Sequence, residues 1–249
     1  MRHVQVTTAA TQGRPLDKLT RLMHSLPAPL QAELESVWEC RNVAQGEVLL
    51  AEGEDTGHVG YVVEGLLGMV KELPDGRRHI VGLLVAADMY GRAFDGLSGY
   101  RIEALADSVV RVCDREVFED IVGRSPETEH MFLVEVLDEL DAAREWVMVL
   151  GGPKIVQRLA AFLFILCRRK RREGWNPAAE GGRVNLRLEI RRQDLAHYLG
   201  ARPESLSRAF HELERRGIIR INDPYDVDVL TLSGLVEAAG QDMALDADF

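Results

Sequence analysis

The sequence has few cysteines and no cysteine motif. Its 249 residues include only Cys40, Cys113 and Cys167, which are far apart and form no C-x-x-C pair. This spacing excludes a disulfide framework and the usual zinc-binding patterns, and it suits a reducing compartment. We therefore expect a cytoplasmic protein without a structural metal ion.

Long hydrophobic segments are also missing. The N-terminus lacks the continuous apolar stretch of a signal peptide, and the most apolar run, Leu159–Cys167, is too short to span a bilayer. The sequence shows no nucleophile–base arrangement, no phosphate-binding loop and no metal-ligand spacing. We therefore expect neither a membrane partner nor an enzymatic activity.

The charge is unevenly distributed along the chain. The net charge is −10, which by itself argues against a nucleic-acid partner. From Arg168 to Arg220, however, fourteen lysines and arginines stand against seven acidic residues, so this segment carries +7 and the remainder −17. An acidic body with one basic lobe is compatible with DNA binding through that lobe. Basic residues that merely keep a helix face solvated would give the same count.

Residues 191–216 indicate two helices joined by a tight turn. Gly200 falls at the joint, where a positive φ is cheap only for glycine, and Pro203 suits the first turn of the second helix. The residues expected to form the buried faces are Leu195, Tyr198, Leu199, Leu206, Phe210 and Leu213. This pattern is typical of a helix-turn-helix, in which the second helix enters the major groove, although a helical hairpin in a core would look similar.

Polar side chains occupy the other face of the second helix. They are Glu204, Ser207, Arg208 and His211. A carboxylate can accept a hydrogen bond from cytosine N4, and an arginine fork matches guanine O6 and N7. The exposed chemistry therefore favours reading of base edges.

The segment RQDLAHYLG, followed by E-x-x-S-R at Glu204, Ser207 and Arg208, resembles the recognition element of the CRP/FNR superfamily of bacterial transcription regulators, in its FNR/FixK branch. The resemblance implies a palindrome with TTGAT- or TTGAC-like half-sites, read by these three residues, and RNA polymerase as a partner. The full set of residues that we predict to contact double-stranded DNA is Arg192, Gln193, Arg202, Glu204, Ser205, Ser207, Arg208 and His211.

Between Asn42 and Asp114 short β-like runs alternate with glycines, and Pro74-Asp75-Gly76 is a strong hairpin turn. Many short strands at regular spacing predict a jelly roll. The predicted strands are Val48–Leu50, Gly60–Val63, Leu66–Val70, His79–Val85 and Val109–Val112. The strings GEVLLAEGED and GLLGMVKELPDGRRHIVGLL also resemble the effector roll of CRP/FNR proteins.

A long helix is predicted next, starting after a Ser125 cap with Pro126 at its first position and running to Leu150. Its apolar residues follow a heptad seam, made of Leu133, Val136, Leu140, Ala143, Val147 and Leu150. The pattern fits either a coiled coil or a single amphipathic core helix. Because LDELDAAREWVMVLG resembles the dimerisation helix of FNR-type proteins, we predict a homodimer along this helix.

The remaining elements complete a winged helix-turn-helix. We predict a hinge at Gly152-Pro153, an apolar helix over 154–172 that buries Ile155, Leu159, Phe162 and Leu163, a loop over 175–182, and strands at 184–190, 217–221 and 228–232. Asp223 and Asp226 at the wing tip would repel phosphate, so the wing should grip DNA weakly. The acidic end, with Asp242, Asp246 and Asp248, is expected to fray after Leu235.

The predicted fold class is therefore α+β. The predicted organisation is an N-terminal arm (1–24), a jelly-roll sensor domain similar to cyclic-nucleotide-binding domains (25–124), a dimerisation helix (125–151), a winged helix-turn-helix domain (152–238) and an acidic tail (239–249).

The resemblance also indicates which residues the sensor domain would need in order to bind a cyclic nucleotide, an iron–sulfur cluster or haem. Family members that bind cyclic nucleotides use a Gly-Glu pair and an arginine, whereas this chain has Gly91-Arg92 and Glu103, with Arg101 two residues away. We therefore expect no cAMP binding. An iron–sulfur cluster needs four thiolates, and three cysteines cannot supply them within one subunit. Haem would require an axial ligand such as His58, His79 or His130.

Cys167 is a further candidate for control. It precedes the basic run Arg168–Arg172, and neighbouring guanidinium groups would lower the pKa of its thiol and raise its reactivity. The apolar neighbours Leu163 and Leu166 instead favour a buried, inert cysteine. The sequence leaves the controlling signal open between a small ligand, haem and the thiol state.

Overall fold

The computed structural model of the chain describes residues 18–240, apart from 75, 77, 95 and 173–182. The helices of these residues are α1 (Lys18–Ser25), α2 (Ala28–Val37), α3 (Arg115–Gly123), α4 (Pro126–Gly151), α5 (Ile155–Arg172), α6 (Arg192–Tyr198), α7 (Pro203–Arg215) and α8 (Leu232–Ala239). The strands are β1 (Glu39–Val43), β2 (Val48–Leu50), β3 (His58–Glu64), β4 (Leu67–Glu72), β5 (Arg78–Leu84), β6 (Met89–Tyr90), β7 (Arg101–Ala104), β8 (Ser108–Asp114), β9 (Val184–Arg187), β10 (Ile219–Ile221) and β11 (Asp226–Val229).

The first eight strands form a roll of two antiparallel sheets. Their orders are β1-β8-β3-β6 and β2-β7-β4-β5. Buried residues from both sheets, among them Val62, Leu67, Ile102 and Val110, pack into one core. Since successive strand residues point to opposite sheet faces, burial alternates along the first four residues of β8, 108–111. The predicted jelly roll is confirmed.

The hairpin predicted at Pro74-Asp75-Gly76 joins β4 to β5. The Gly76 amide donates to the Leu73 carbonyl at 2.8 Å, and Gly76 has a φ of +78°, which glycine adopts without strain; Asp75 itself lies outside the described residues. The sequence analysis missed β1, β6 and β7. β1 buries only Val43 and β6 has two residues, so neither shows the alternation that reveals a strand.

Helix α4 links the roll to the C-terminal lobe. The Ser125 hydroxyl accepts a hydrogen bond from the Thr128 amide at 3.3 Å, which caps the helix, and Pro126 occupies the first turn. The helix ends at Gly151, one residue beyond the predicted end at Leu150. Its 26 residues give a rod about 39 Å long.

The C-terminal lobe is built around α5. Leu159, Leu163 and Phe164 of this helix are fully buried against the helix-turn-helix, the β10-β11-β9 sheet and α8. The sequence predicts that the chain frays after Leu235, but the chain remains helical up to Ala239. Leu235 lies buried in α8, which begins at a Thr231 cap. In the described part of the chain, no helix has both the length and the apolar character that crossing a bilayer requires.

The N-terminal helix α1 packs against the rest of the sensor lobe. Helix α1 begins inside the predicted arm 1–24 and buries Leu22 and Met23. The Arg21 guanidinium pairs with Glu135 of α4 at 3.0 Å. These contacts make α1 part of the sensor lobe. Residues 1–17, the predicted loop 175–182 and the acidic end 241–249 lie outside the described residues.

Candidate nucleic-acid interface

Helices α6 and α7 form the predicted helix-turn-helix. Gly200 in the turn has a φ of +62°, and the Ala201 amide donates to the Ala196 carbonyl at 2.8 Å. Pro203 opens α7, where its missing N–H is not needed. The apolar residues predicted for the two helices, Leu195, Tyr198, Leu199, Leu206, Phe210 and Leu213, are all buried. This packing fixes which face of α7 points outward.

The outward face of α7 carries the predicted base-reading residues. Glu204, Ser207, Arg208 and His211 are exposed, as are Arg202 and Gln193, whereas Ser205 is partly buried. The Arg208 Nε donates to the Glu204 carbonyl at 3.4 Å. Among the described residues, no carboxylate lies within ion-pair distance of Arg208, so its guanidinium fork is available to a partner. The N-terminal half of α7 thus presents an acceptor, a hydroxyl and a fork side by side.

Arg192 at the start of α6 is placed differently from the rest of the predicted set. Its guanidinium lies over the Phe210 ring, 3.4 Å from the centroid, and is partly buried. This burial lowers the pKa of Arg192 to about 10. The structure therefore uses Arg192 to pack α6 on α7. The sequence gives no signal of this contact, because it depends on how the two helices cross.

The wing is the hairpin of β10 and β11, extended by β9 on the other side. Strand β11 is Asp226–Val229, two residues earlier than the start predicted at Asp228, because α8 begins at Leu232. The side-chain amide of Asn185 donates to both Asp226 and Asp228, which keeps the two carboxylates together. The wing tip is therefore acidic, as the sequence indicated.

The residues of the basic run at the end of α5 differ in their exposure and contacts. The ammonium group of Lys170 donates a hydrogen bond to the Asn185 carbonyl of β9, and this bond holds α5 against the wing sheet. Arg171 is exposed and Arg168 is partly buried. The side chains of Arg169 and Arg172 lie outside the described residues.

Helix α4 carries an exposed apolar stripe. All six residues of the predicted seam, Leu133, Val136, Leu140, Ala143, Val147 and Leu150, are exposed in the single chain. Leu133 and Val147 are 61% and 70% exposed, values unusual for large aliphatic side chains. Leu137, which the sequence analysis missed, extends the stripe. The outer face of α4 is therefore apolar although it faces solvent.

An ion-pair network joins the roll to the helix-turn-helix. The Arg78 guanidinium on β5 donates to Asp194 of α6 at 2.9 Å and to Glu103 of β7 at 2.7 Å. Asp194 is almost fully buried and also accepts from Arg191 at 3.0 Å. Sequence reasoning missed Arg78, because an arginine that follows a hairpin turn carries no motif of its own. The network couples the orientation of α6 to the sensor lobe.

Glu103 is the residue that the family resemblance places at the position of the phosphate-binding arginine. Its buried carboxylate pairs with Arg101 at 3.1 Å as well as with Arg78. Arg101 is held in addition near Glu72, at 3.6 Å. A two-residue shift of the alignment would place Arg101 at the phosphate position, but Arg101 is already paired with carboxylates.

Of the two alternatives considered for Cys167, the structure supports the buried cysteine. Cys167 is fully buried, and burial raises the pKa of its thiol to about 12, with only a smaller opposing effect from Lys170. The predicted lowering of this pKa by Arg168 and Arg169 is wrong, because desolvation of a thiolate outweighs a neighbouring charge. Of the three histidines considered as haem ligands, His58 on β3 and His130 on α4 are exposed and His79 on β5 is partly buried. No group of three or more His, Cys, Asp or Glu residues suited to a metal ion occurs in the described ranges.

Comparison with known proteins agrees with this architecture. Residues 157–238 match the Crp-like helix-turn-helix domain and residues 40–125 match the cyclic nucleotide-binding domain. The chain is 33% identical over 215 residues to the transcriptional activator protein FnrL of Cereibacter sphaeroides, covering 85% of this chain and 84% of FnrL. It is 30% identical to the nitrogen fixation regulation protein FixK of Bradyrhizobium diazoefficiens, covering 79% and 81% of the two chains.

The structure of FixK2 from Bradyrhizobium japonicum superimposes with a TM-score of 0.71 at 25% identity, covering 81% of this chain and 97% of FixK2. The domain matches, the relatives and the exposed polar face of α7 lead to one conclusion: the chain belongs to the CRP/FNR superfamily of transcription regulators, in its FNR/FixK-like branch.

Proposed function

We propose that the protein acts as a homodimer that reads a TTGA-type palindrome through α7 and thereby regulates transcription. The observation that carries this proposal is the exposed trio of Glu204, Ser207 and Arg208 on a helix whose opposite face is fully buried. A carboxylate suits cytosine, an arginine fork suits guanine, and a hydroxyl suits either. Three neighbouring positions thus supply a short base code.

The apolar stripe of α4 supports the dimer. A second copy of the same helix, packed about a two-fold axis, would cover Leu133, Leu140 and Val147 in both protomers at once. Reading a palindrome requires two recognition helices about 34 Å apart, on successive turns of one DNA face. The stripe would therefore allow a second protomer to bind, which brings the second recognition helix that a single chain lacks.

Arg171 and Gln193 are exposed on the same lobe and suit phosphate contacts, which position the protein without reading sequence. Arg192 contributes to this surface by holding α6 against α7. The acidic wing tip contributes little to the grip. RNA polymerase is the partner that a DNA-bound regulator of this family would recruit or exclude, and the protein would act in the cytoplasm without enzymatic activity of its own.

The ion pairs of Glu103 support a sensor that does not use cAMP. An anionic phosphate in the roll would have to displace Arg78 or Arg101 from a buried carboxylate. The burial of Cys167 makes direct control by a reactive thiolate at this position the weaker alternative. A small uncharged ligand fits these observations best.

Fluorescence anisotropy with the full chain tests the proposal. One duplex carries TTGAT and ATCAA separated by about four base pairs, which sets the half-sites roughly one turn apart, and the control duplex is scrambled. We expect binding to the palindrome to be about a thousandfold tighter than to the control at physiological salt. Equal affinity for both duplexes would contradict the proposal.

A further inference from the structure

A cavity lies where the roll, α4 and the C-terminal lobe meet. Its volume is about 160 Å³. Leu83 and Val85 line it from the roll, Trp146 from α4, and Phe162 from α5, while Leu188 and Tyr198 close it from the helix-turn-helix lobe. Most of this lining is apolar, and three of these six side chains are aromatic.

The aromatic side chains form an ordered wall. The rings of Trp146 and Tyr198 stack at 4.3 Å with an angle of 20°, and Phe162 meets Trp146 edge-on at 5.8 Å. These three residues belong to three different helices. Their packing gives the cavity a flat surface that suits another planar ring.

Trp146 also carries a buried polar atom without a partner. Its Nε1 is shielded from solvent and makes no hydrogen bond within the described residues. An indole nitrogen can only donate, and leaving a buried donor unpaired is unfavourable. The unpaired N–H and the cavity involve the same side chain.

We propose that this cavity is a binding site for a small neutral aromatic molecule that carries one hydrogen-bond acceptor, and that Trp146 Nε1 donates to that acceptor. An apolar cavity of about 150 Å³ is large enough to take up a single benzene ring. Arg187 and Glu189 line the same cavity with opposite charges, so neither an anion nor a cation is selected. Size, lining and donor therefore specify one class of ligand.

A molecule in this cavity would touch the roll and the helix-turn-helix lobe at the same time. It would add to the contact that Arg78 makes with Asp194, and so hold α6 in its present orientation. This consequence for DNA binding rests on the proposed function. Binding of the ligand itself does not, and it is measured without DNA.

Isothermal titration calorimetry of the full chain tests the site with two molecules of equal size and shape, acetophenone and α-methylstyrene. The first has a carbonyl acceptor and the second has a CH₂ group in its place. We expect both to bind, one molecule per chain. Absence of binding of both at millimolar concentration would overturn the proposal, whatever the result with DNA.

Two kinds of variant locate the binding. Val85→Phe fills the cavity, and we expect it to weaken both ligands at least about tenfold, while the matched Val63→Phe on an exposed part of β3 leaves them unchanged. Leu83→Phe serves as a second filling variant, and circular dichroism verifies that each is folded. Parent-like affinity in folded Val85→Phe and Leu83→Phe would overturn the site.

Trp146→Phe keeps an aromatic ring and removes the N–H. We expect acetophenone to bind about fivefold more weakly to this variant and α-methylstyrene to bind as before, because only the first loses a hydrogen bond. An equal change for both ligands would overturn the assignment of Trp146 Nε1 as the donor.

Discussion

The helix-turn-helix lobe and the roll use their polar side chains in opposite ways. On α7, Glu204 and Arg208 project into solvent from a helix that is fully buried on its other face. In the roll, Glu103 and Arg101 pair with each other, and Arg78 joins them to the C-terminal lobe. One region presents its chemistry to a partner, whereas the other uses it to hold the protein together. The roll matches the cyclic nucleotide-binding domain, but this shared fold does not imply that it binds the same ligand.

The largest effect is expected from disrupting the proposed homodimer, in which two copies of α7 would contact the DNA. The double variant Leu140→Asp and Val147→Asp places carboxylates on the exposed stripe of α4, where a partner helix would have to bury them. We expect a monomer by sedimentation velocity and a loss of palindrome affinity of about a hundredfold or more. The matched control, Val63→Asp and Val81→Asp on the roll, should remain dimeric. A dimer in the α4 variant would contradict the assigned interface.

The next largest effect is expected on stability, from removing an ion pair of Arg78 between the two lobes. Asp194→Ala removes one of the two carboxylates that pair with the Arg78 guanidinium and leaves it with Glu103 alone, which should lower the free energy of unfolding by about 2 kcal/mol. Asp141→Ala removes an exposed pair with Arg144 and should cost less than about 1 kcal/mol. Urea denaturation of both variants measures the difference. Equal losses would show that the Arg78 network does not stabilise the junction of the two lobes.

The exposed polar side chains of α7 should affect the DNA sequence specificity of the protein and not its stability to unfolding. Arg208→Ala is expected to weaken binding to the palindrome by about 1–3 kcal/mol and to relax specificity at one base pair, with unfolding unchanged. Arg171→Ala, an exposed arginine at the end of α5, should instead weaken binding to all sequences by a similar factor. Affinities for a set of single-base substitutions distinguish the two. A uniform loss for Arg208→Ala would reduce this residue to a phosphate contact.

The smallest effect is expected for the buried thiol. Because the pKa of Cys167 is raised to about 12, hardly any thiolate exists at neutral pH, and a thiol reagent should modify only the exposed Cys40 of the folded protein. The contribution of the protonated thiol to stability is present below the ordinary thiol pKa and is lost as the pH rises towards about 12. Peroxide should therefore affect DNA binding equally in the parent and in Cys167→Ser. Protection by the substitution would contradict the structural assignment.

The features that the sequence revealed are those with a local signature. Gly200, Pro203 and the apolar spacing through Leu213 define α6, the turn and α7 within about 20 residues, so the reading face follows from periodicity alone. The cap at Ser125 and the heptad spacing likewise define α4. These elements are confirmed because short-range chemistry determines them.

Other features depend on contacts between distant parts of the chain. Arg78 and Asp194 are 116 residues apart, and neither belongs to a motif. The stacking of Arg192 on Phe210 requires the crossing of two helices, and the burial of Cys167 requires the whole C-terminal lobe to be packed. The sequence placed a charge beside that thiol but could not show how far solvent is excluded from it.

The most direct test of the central claim varies the spacing between two half-sites. Affinity is measured by fluorescence anisotropy for the TTGAT/ATCAA palindrome, for the same palindrome with an insertion of about five base pairs, and for one half-site alone. A homodimer that reads both halves with α7 should bind the original palindrome at least about a hundredfold more tightly than the other two, since the insertion turns the second half-site to the opposite face of the DNA. Equal affinity for all three duplexes would contradict the account.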